Sequence, residues 1–201
     1  MLKKVILATL LTLTTLSAMH EFEINLNQKD LDLQLGLDMG QFNDSVEPDS
    51  FMIEMRVMKG DTIHSRLPSD QNTNIFGNFG FVAQSSSAMA PGLMMGMGLK
   101  MVYSNLETKS VFAMPLGVMI DYTLPFDIPI PLHVGGKAYY APQVLSFEAS
   151  KNYMEFQTNF DIEVMDRGLI TLGYRWIETP LNYDTNAYYN RSYYFGLKFK
   201  F

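Results

Sequence analysis

Past residue 20, apolar and polar residues alternate with a period of two along most of this chain. Leu31, Leu33, Leu35, Leu37 and Met39 are separated by Asp32, Gln34, Gly36 and Asp38. Met154, Phe156, Thr158, Phe160, Ile162 and Val164 are separated by Glu155, Gln157, Asn159, Asp161 and Glu163. Ile170, Leu172, Tyr174 and Trp176 are interleaved with Thr171, Gly173 and Arg175. Successive side chains of a strand point to opposite faces, so the pattern predicts strands with one apolar and one polar face. Ten are read, at 21–27, 31–40, 50–59, 73–83, 92–104, 108–122, 131–142, 151–164, 168–178 and 190–201. Most are well beyond the ~5–6 residues usual in soluble sheets. They match the ~9–11 with which a tilted strand crosses a bilayer. No helix-period segment, internal repeat or low-complexity tract follows residue 20.

The two faces differ in kind. The polar face carries glycines, among them Gly96, Gly98, Gly135, Gly173 and Gly196, whereas the apolar face carries bulky groups such as Leu93, Met95, Met97, Leu99, Met101 and Tyr103. Small residues suit a crowded barrel interior and bulky apolar ones suit lipid. Phe51, Tyr103, Tyr122, Tyr140, Trp176, Tyr193 and Phe201 lie near strand ends, as in the aromatic girdles of outer-membrane barrels. The expectation is an all-β fold: a transmembrane antiparallel up-and-down β-barrel of about ten strands. The alternatives are an eight-strand closure that leaves 21–27 unpaired and demotes one other segment, and a soluble barrel with the faces reversed.

The start of the chain and its composition fit this setting. Lys3 and Lys4 precede an apolar run from Val5 to Leu16, and Ser17 and Ala18 offer small residues for cleavage. Residues 1–18 read as a signal peptide and 19–201 as the barrel; removing Lys3 and Lys4 would take the formal charge from −6 to −8. That charge argues against a nucleic-acid partner. The chain has no cysteine, which removes disulfides, thiolate metal sites and cysteine nucleophiles. An exported chain without disulfides suits a Gram-negative envelope.

With both termini in the periplasm, connections 41–49, 84–91, 123–130 and 165–167 are periplasmic. Connections 28–30, 60–72, 105–107, 143–150 and 179–189 are then extracellular. The last strand puts Tyr193, Phe195, Leu197, Phe199 and Phe201 on one face and Tyr194, Gly196, Lys198 and Lys200 on the other. Tyr194, Gly196, Phe199 and Phe201 fill the places of the terminal targeting strand that this end of the chain resembles. The resemblance implies an assembly signal read by the barrel-assembly machinery.

The chain also resembles the YfaZ family of outer-membrane proteins. The resemblance rests on Pro131-Leu132, Ala138-Tyr139-Tyr140-Ala141-Pro142, Val144-Leu145-Ser146-Phe147, Asn152-Tyr153-Met154-Glu155, Gly173-Tyr174-Arg175 and Gly196-Leu197-Lys198-Phe199-Lys200-Phe201. It implies a small outer-membrane barrel of Gram-negative bacteria and carries over no catalytic residues.

Candidates for chemistry are few. By alternation Asp32, Asp38, Glu54, Arg56, Lys100, Lys137, Glu155, Asp161, Glu163, Arg175, Lys198 and Lys200 point inward. Buried charges must pair or stay wet, so a charge network filling the lumen is expected, against a narrow pore as the alternative. His64 and Ser65 in the first long loop invite a hydrolase reading, but adjacent residues of an extended chain point apart. His20 reads as a frayed terminus. His133 points inward near the periplasmic rim, within reach of Tyr139 or Glu155. Met95, Met97 and Met101 could be read as a thioether copper site, but they share the apolar face and serve there as lipid-facing groups. No catalytic, cofactor or metal site is expected. The expected role is structural or surface-interacting, with lipid and an unknown loop partner; a pore, and an enzyme acting on lipid or peptide, are the alternatives.

Overall fold

The computed structural model describes residues 20–28, 30–61, 73–106, 109–126, 128–148, 150–180 and 186–201. The proposed signal segment, His64 and Ser65 lie outside the described residues. The strands are β1 (Glu21–Leu26), β2 (Asp30–Asp38), β3 (Phe51–Asp61), β4 (Thr73–Ser86), β5 (Leu93–Leu106), β6 (Lys109–Ala113), β7 (Leu116–Thr123), β8 (Leu132–Ala141), β9 (Ser146–Glu148), β10 (Tyr153–Met165), β11 (Gly168–Pro180) and β12 (Asn186–Lys200). All neighbours pair antiparallel, and β4 against β5 closes the sheet into a barrel. β6 and β7 both pair with β5 and make one stave, and β9 prolongs the β8 stave alongside β6. The barrel therefore has ten staves.

β1 pairs with β12 on one side and β2 on the other, which excludes the eight-strand closure. The seam is tied at its end by a reciprocal backbone pair. His20 N–H donates to Phe201 O at 2.8 Å, and Phe201 N–H donates to His20 O at 2.9 Å. His20 is not a frayed terminus: it is buried, stacks on Phe42 and accepts from Asp38 N–H through Nδ1.

Two other expectations need correction. The strand read at 108–122 breaks at Met114-Pro115, since proline has no N–H for the ladder. The breach is covered locally: Lys100 N–H donates to Pro115 O and Met114 N–H to Leu145 O. The connection read at 143–150 contains β9, which the break at Pro142 and a turn at Gln143–Leu145 displace from β8. The strands also run further than read; β11 and β12 extend through much of the loop read at 179–189.

His20, Phe201 and the described residues of the turns at 39–50, 87–92, 124–131 and 166–167 lie at one end, here called the terminal end; the opposite ends of the strands make the far end. The turn at 166–167 is tight because Arg167 adopts φ 64. Phe126, Ile128 and Ile130 in the proline-rich connection are exposed at the terminal end.

The outer wall is apolar. Leu33, Val57, Met97, Leu116, Val118, Ile120, Phe156, Leu172, Phe195 and Leu197 are all exposed, Met97 to 68%. A continuous apolar band of this kind far exceeds the patches that monomeric soluble proteins show. Inside, glycines make room for rings. A Cβ at Gly117 would stand 2.2 Å from Tyr139 Cδ1, and one at Gly173 would stand 2.2 Å from Tyr194 Cζ. Each ring thus lies over the glycine paired with it on the neighbouring strand.

Candidate functional site: a zoned lumen

The lumen falls into three zones. Nearest the far end is an apolar cluster of Met58, Phe76, Val102, Ala113, Ala141, Tyr153 and Ile177, with Leu145 packed against it. Phe76 and Tyr153 stack at 6.4 Å. These residues continue the inward faces of strands that are charged elsewhere: Met58 lies two residues beyond Arg56, and Tyr153 two before Glu155.

Next comes a charged belt. Arg56 of β3 grips Asp32 of β2 with both arms, Nε to Oδ1 at 2.8 Å and Nη2 to Oδ2 at 2.9 Å. Its third nitrogen, Nη1, crosses the lumen to Glu155 Oε1 of β10 at 2.8 Å. Glu155 also takes Tyr153 O–H at 2.9 Å and Lys100 Nζ of β5 at 3.3 Å. Lys100 Nζ lies 3.6 Å from the centre of the Tyr139 ring. Arg175 of β11 donates to Asp32 and lies 3.7 Å from Asp30. Asp30, Asp32 and Glu155 thus face Arg56, Lys100 and Arg175, so the belt is neutral as a unit. Arg175 is 1% exposed and Glu155 3%. The bidentate guanidinium–carboxylate bond, the strong and geometrically specific kind, joins the neighbouring strands β2 and β3, and the single Arg56–Glu155 bond ties that pair to the opposite wall.

The third zone is a cavity of about 220 Å³ reaching from Arg56 and Lys100 to Glu21, Asp49 and Lys200 at the terminal rim. Lys137 Nζ donates to Glu54 Oε1 across it at 2.6 Å. Lys198 Nζ lies 2.7 Å from Asp161 and 3.7 Å from Glu23, and Lys200 Nζ lies 3.6 Å from Glu21. His133 does not meet Tyr139 or Glu155. Its Nδ1 is 3.0 Å from Thr123 Oγ1 and its Nε2 3.8 Å from Glu163. At the rim, burial pushes the Asp49 carboxyl up, with Asp38 and Glu21 adding to the effect. Burial pulls the His20 imidazole down.

The structure places the residues read as one lumen network in separate groups. Arg56, Lys100, Glu155 and Arg175 meet in the belt; Glu54 and Lys137 pair below it; Asp161 and Lys198 pair on the cavity wall; Glu163 stands with His133. Asp38 takes no part, because its Oδ1 accepts Gly40 N–H in the turn after β2. Of the last-strand residues, Tyr194 is buried in the lumen, where Gln157 donates to its hydroxyl. Gly196 faces Asn25, and Phe199 is exposed. Asp30 and Tyr153 were missed by a search for charge alternation, and Tyr139 was read only as a neighbour of His133. Asp30 reads as part of a turn, and the tyrosines look like further apolar residues, although their parity with Lys137 and Glu155 marks them as inward. Met95, Met97 and Met101 are on the exposed outer face. Among the described residues, no group of three or more His, Asp or Glu is placed to hold a metal ion.

Comparison with known proteins places this geometry in a family. The model of the YfaZ precursor family matches residues 66–201, well over half of the chain. No curated protein matches. Among solved structures, one similar to this chain is the outer membrane channel DcaP of Acinetobacter baumannii. Its identity is 12%, with a TM-score of 0.36, over 89% of this chain and 54% of that one. The chain thus spans about half the length of that structure. The chain belongs to the YfaZ family.

Proposed function

We propose that this YfaZ-family protein is an integral outer-membrane barrel whose lumen is closed, and that it acts through its two ends rather than as a pore. The carrying observation is the belt. Asp32, Arg56, Lys100, Glu155 and Arg175 lie in the middle of a polar lumen, yet each is buried. The adjoining apolar cluster adds a second layer that hydrated ions would have to cross. An interior of about eight strands is just filled by side chains, and ten staves add little room.

The exposed apolar wall supports lipid as the surrounding solvent, and closure pairs each of the ten staves on both sides. Tyr103, Tyr140 and Trp176 lie toward the far end of their strands and Phe51, Tyr122 and Phe199 toward the terminal end, as interface girdles would, whereas Tyr193 sits at the middle of β12. In this reading residues 1–18 are a cleaved signal peptide and the terminal end faces the periplasm. The far-end connections meet the outside, and the last strand is read by the assembly machinery through Tyr194, Gly196, Phe199 and Phe201. We assign no catalytic role.

Single-channel recording in planar bilayers tests the closed lumen. The expected result is a flat baseline at high load of protein shown to be folded by its heat-dependent gel mobility. Reproducible ohmic steps from the folded form would overturn the reading and favour a narrow pore.

A further inference from the structure

We propose that the cavity at the terminal end is a binding site for a small organic di- or polyamine. Its being blind rests on the closed lumen argued above; its ligand class rests on the cavity's own charges.

Glu21, Glu23, Asp49, Glu54, Asp121 and Asp161 line the cavity. The cations free to offset them are Lys137, Lys198 and Lys200, because Arg56 and Lys100 at the floor are engaged by Asp32 and Glu155. Three carboxylate charges remain over. Asp121 points into the cavity from β7 and has no ion pair or hydrogen bond among the described residues. A concave wall of one sign focuses its field and concentrates counter-ions.

One of two buried, unmet groups, the Asp161 acceptor, makes this more than an acidic patch. Asp161 is 2% exposed, and while its Oδ2 is held by Lys198 and Asn159, its Oδ1 has no donor. Asn78 is 8% exposed, and its side-chain nitrogen has no partner. Both line the cavity. Buried polar atoms are ordinarily bonded, so an unmet acceptor in an acidic cavity calls for a donor. An ammonium group brings three. The unmet Asn78 nitrogen is itself a donor and takes no part in holding an ammonium.

The spacing selects the kind of cation. A divalent metal needs oxygen ligands converging on one point, about six or more for calcium. Here the carboxylates are spread over β1, β3, β7, β10 and the 39–50 turn, and none of the described His, Asp or Glu converge as a metal set. Dispersed charges around an elongated space fit a chain with separated ammonium groups and no coordination geometry.

The test is calorimetric titration of the folded, detergent-solubilised protein with spermidine, repeated with Asp121→Asn. Asp121 makes no ion pair or hydrogen bond among the described residues, so the variant should fold, as heat-dependent mobility will show. Expected are saturable one-to-one binding, a rise in Kd of at least tenfold in Asp121→Asn, and little displacement by an equal concentration of magnesium. The proposal is overturned by no saturable binding in the wild type, by unchanged binding in folded Asp121→Asn, or by magnesium competing on equal terms. Conductance by the folded barrel would end the closed-lumen reading and leave the titration to judge the amine site by itself. A silent titration with a closed lumen would end only the amine site.

Discussion

Glu155→Gln is the sharpest probe of the belt. The substitution keeps the shape of the side chain and removes its charge. Glu155 holds Arg56 Nη1 at 2.8 Å, Tyr153 O–H at 2.9 Å and Lys100 Nζ at 3.3 Å. Arg56 would retain both bonds to Asp32. Lys100 would not be so well placed. Glu155 is its one carboxylate partner among the described ion pairs, leaving the face of Tyr139 as its remaining contact. A belt of three acids and three bases would become one of two and three. Breaking a buried pair from one side costs about 3–5 kcal/mol, most of it the uncompensated charge left behind. Lys100→Met in the same background removes that charge, so the double variant should regain much of the loss. The coupling should fall in the upper part of the about 0.5–3 kcal/mol range of residues in contact. Urea unfolding in detergent micelles measures both, followed by the fluorescence of Trp176, the single tryptophan. A loss under about 1 kcal/mol for Glu155→Gln, or no recovery with Lys100→Met, would show that water reaches the belt and that the closed-lumen reasoning is wrong.

Two further substitutions probe the outer wall and the seam. Met97→Arg puts a charge at a 68% exposed outward position near the middle of β5. In lipid it should destabilise the barrel by about 2–4 kcal/mol, the range for a midplane arginine. An unchanged unfolding midpoint in vesicles would mean that this wall does not face hydrocarbon. Deleting Phe201 removes the reciprocal backbone pair with His20 and the edge contact between their rings. The level of protein in outer membranes should fall far more than the stability of barrel refolded in detergent, and equal losses in the two measurements would deny the last residue a part in assembly.

The sequence by itself determined the staves and their faces, because alternation is a local property of an extended chain. Leu93 to Tyr103 needed no neighbour to be read as one bulky face, and Gly96 and Gly98 marked the other as crowded. It also located the breaks to within a few residues, except at Pro115, where a proline fell inside a run that otherwise alternates, and at Ser146–Glu148, where a short strand lies in a segment read as a connection. The tertiary structure decided which inward charge meets which. Arg56 and Glu155 are separated by 99 positions and lie on opposite walls, as do Lys137 and Glu54. Their meeting depends on the stagger between strands accumulated around the whole ring, and no period within one strand encodes that. The same closure divides the lumen into apolar cluster, buried belt and acidic cavity. Parity tells a residue which way to point, but only the finished ring sets how much room it finds there.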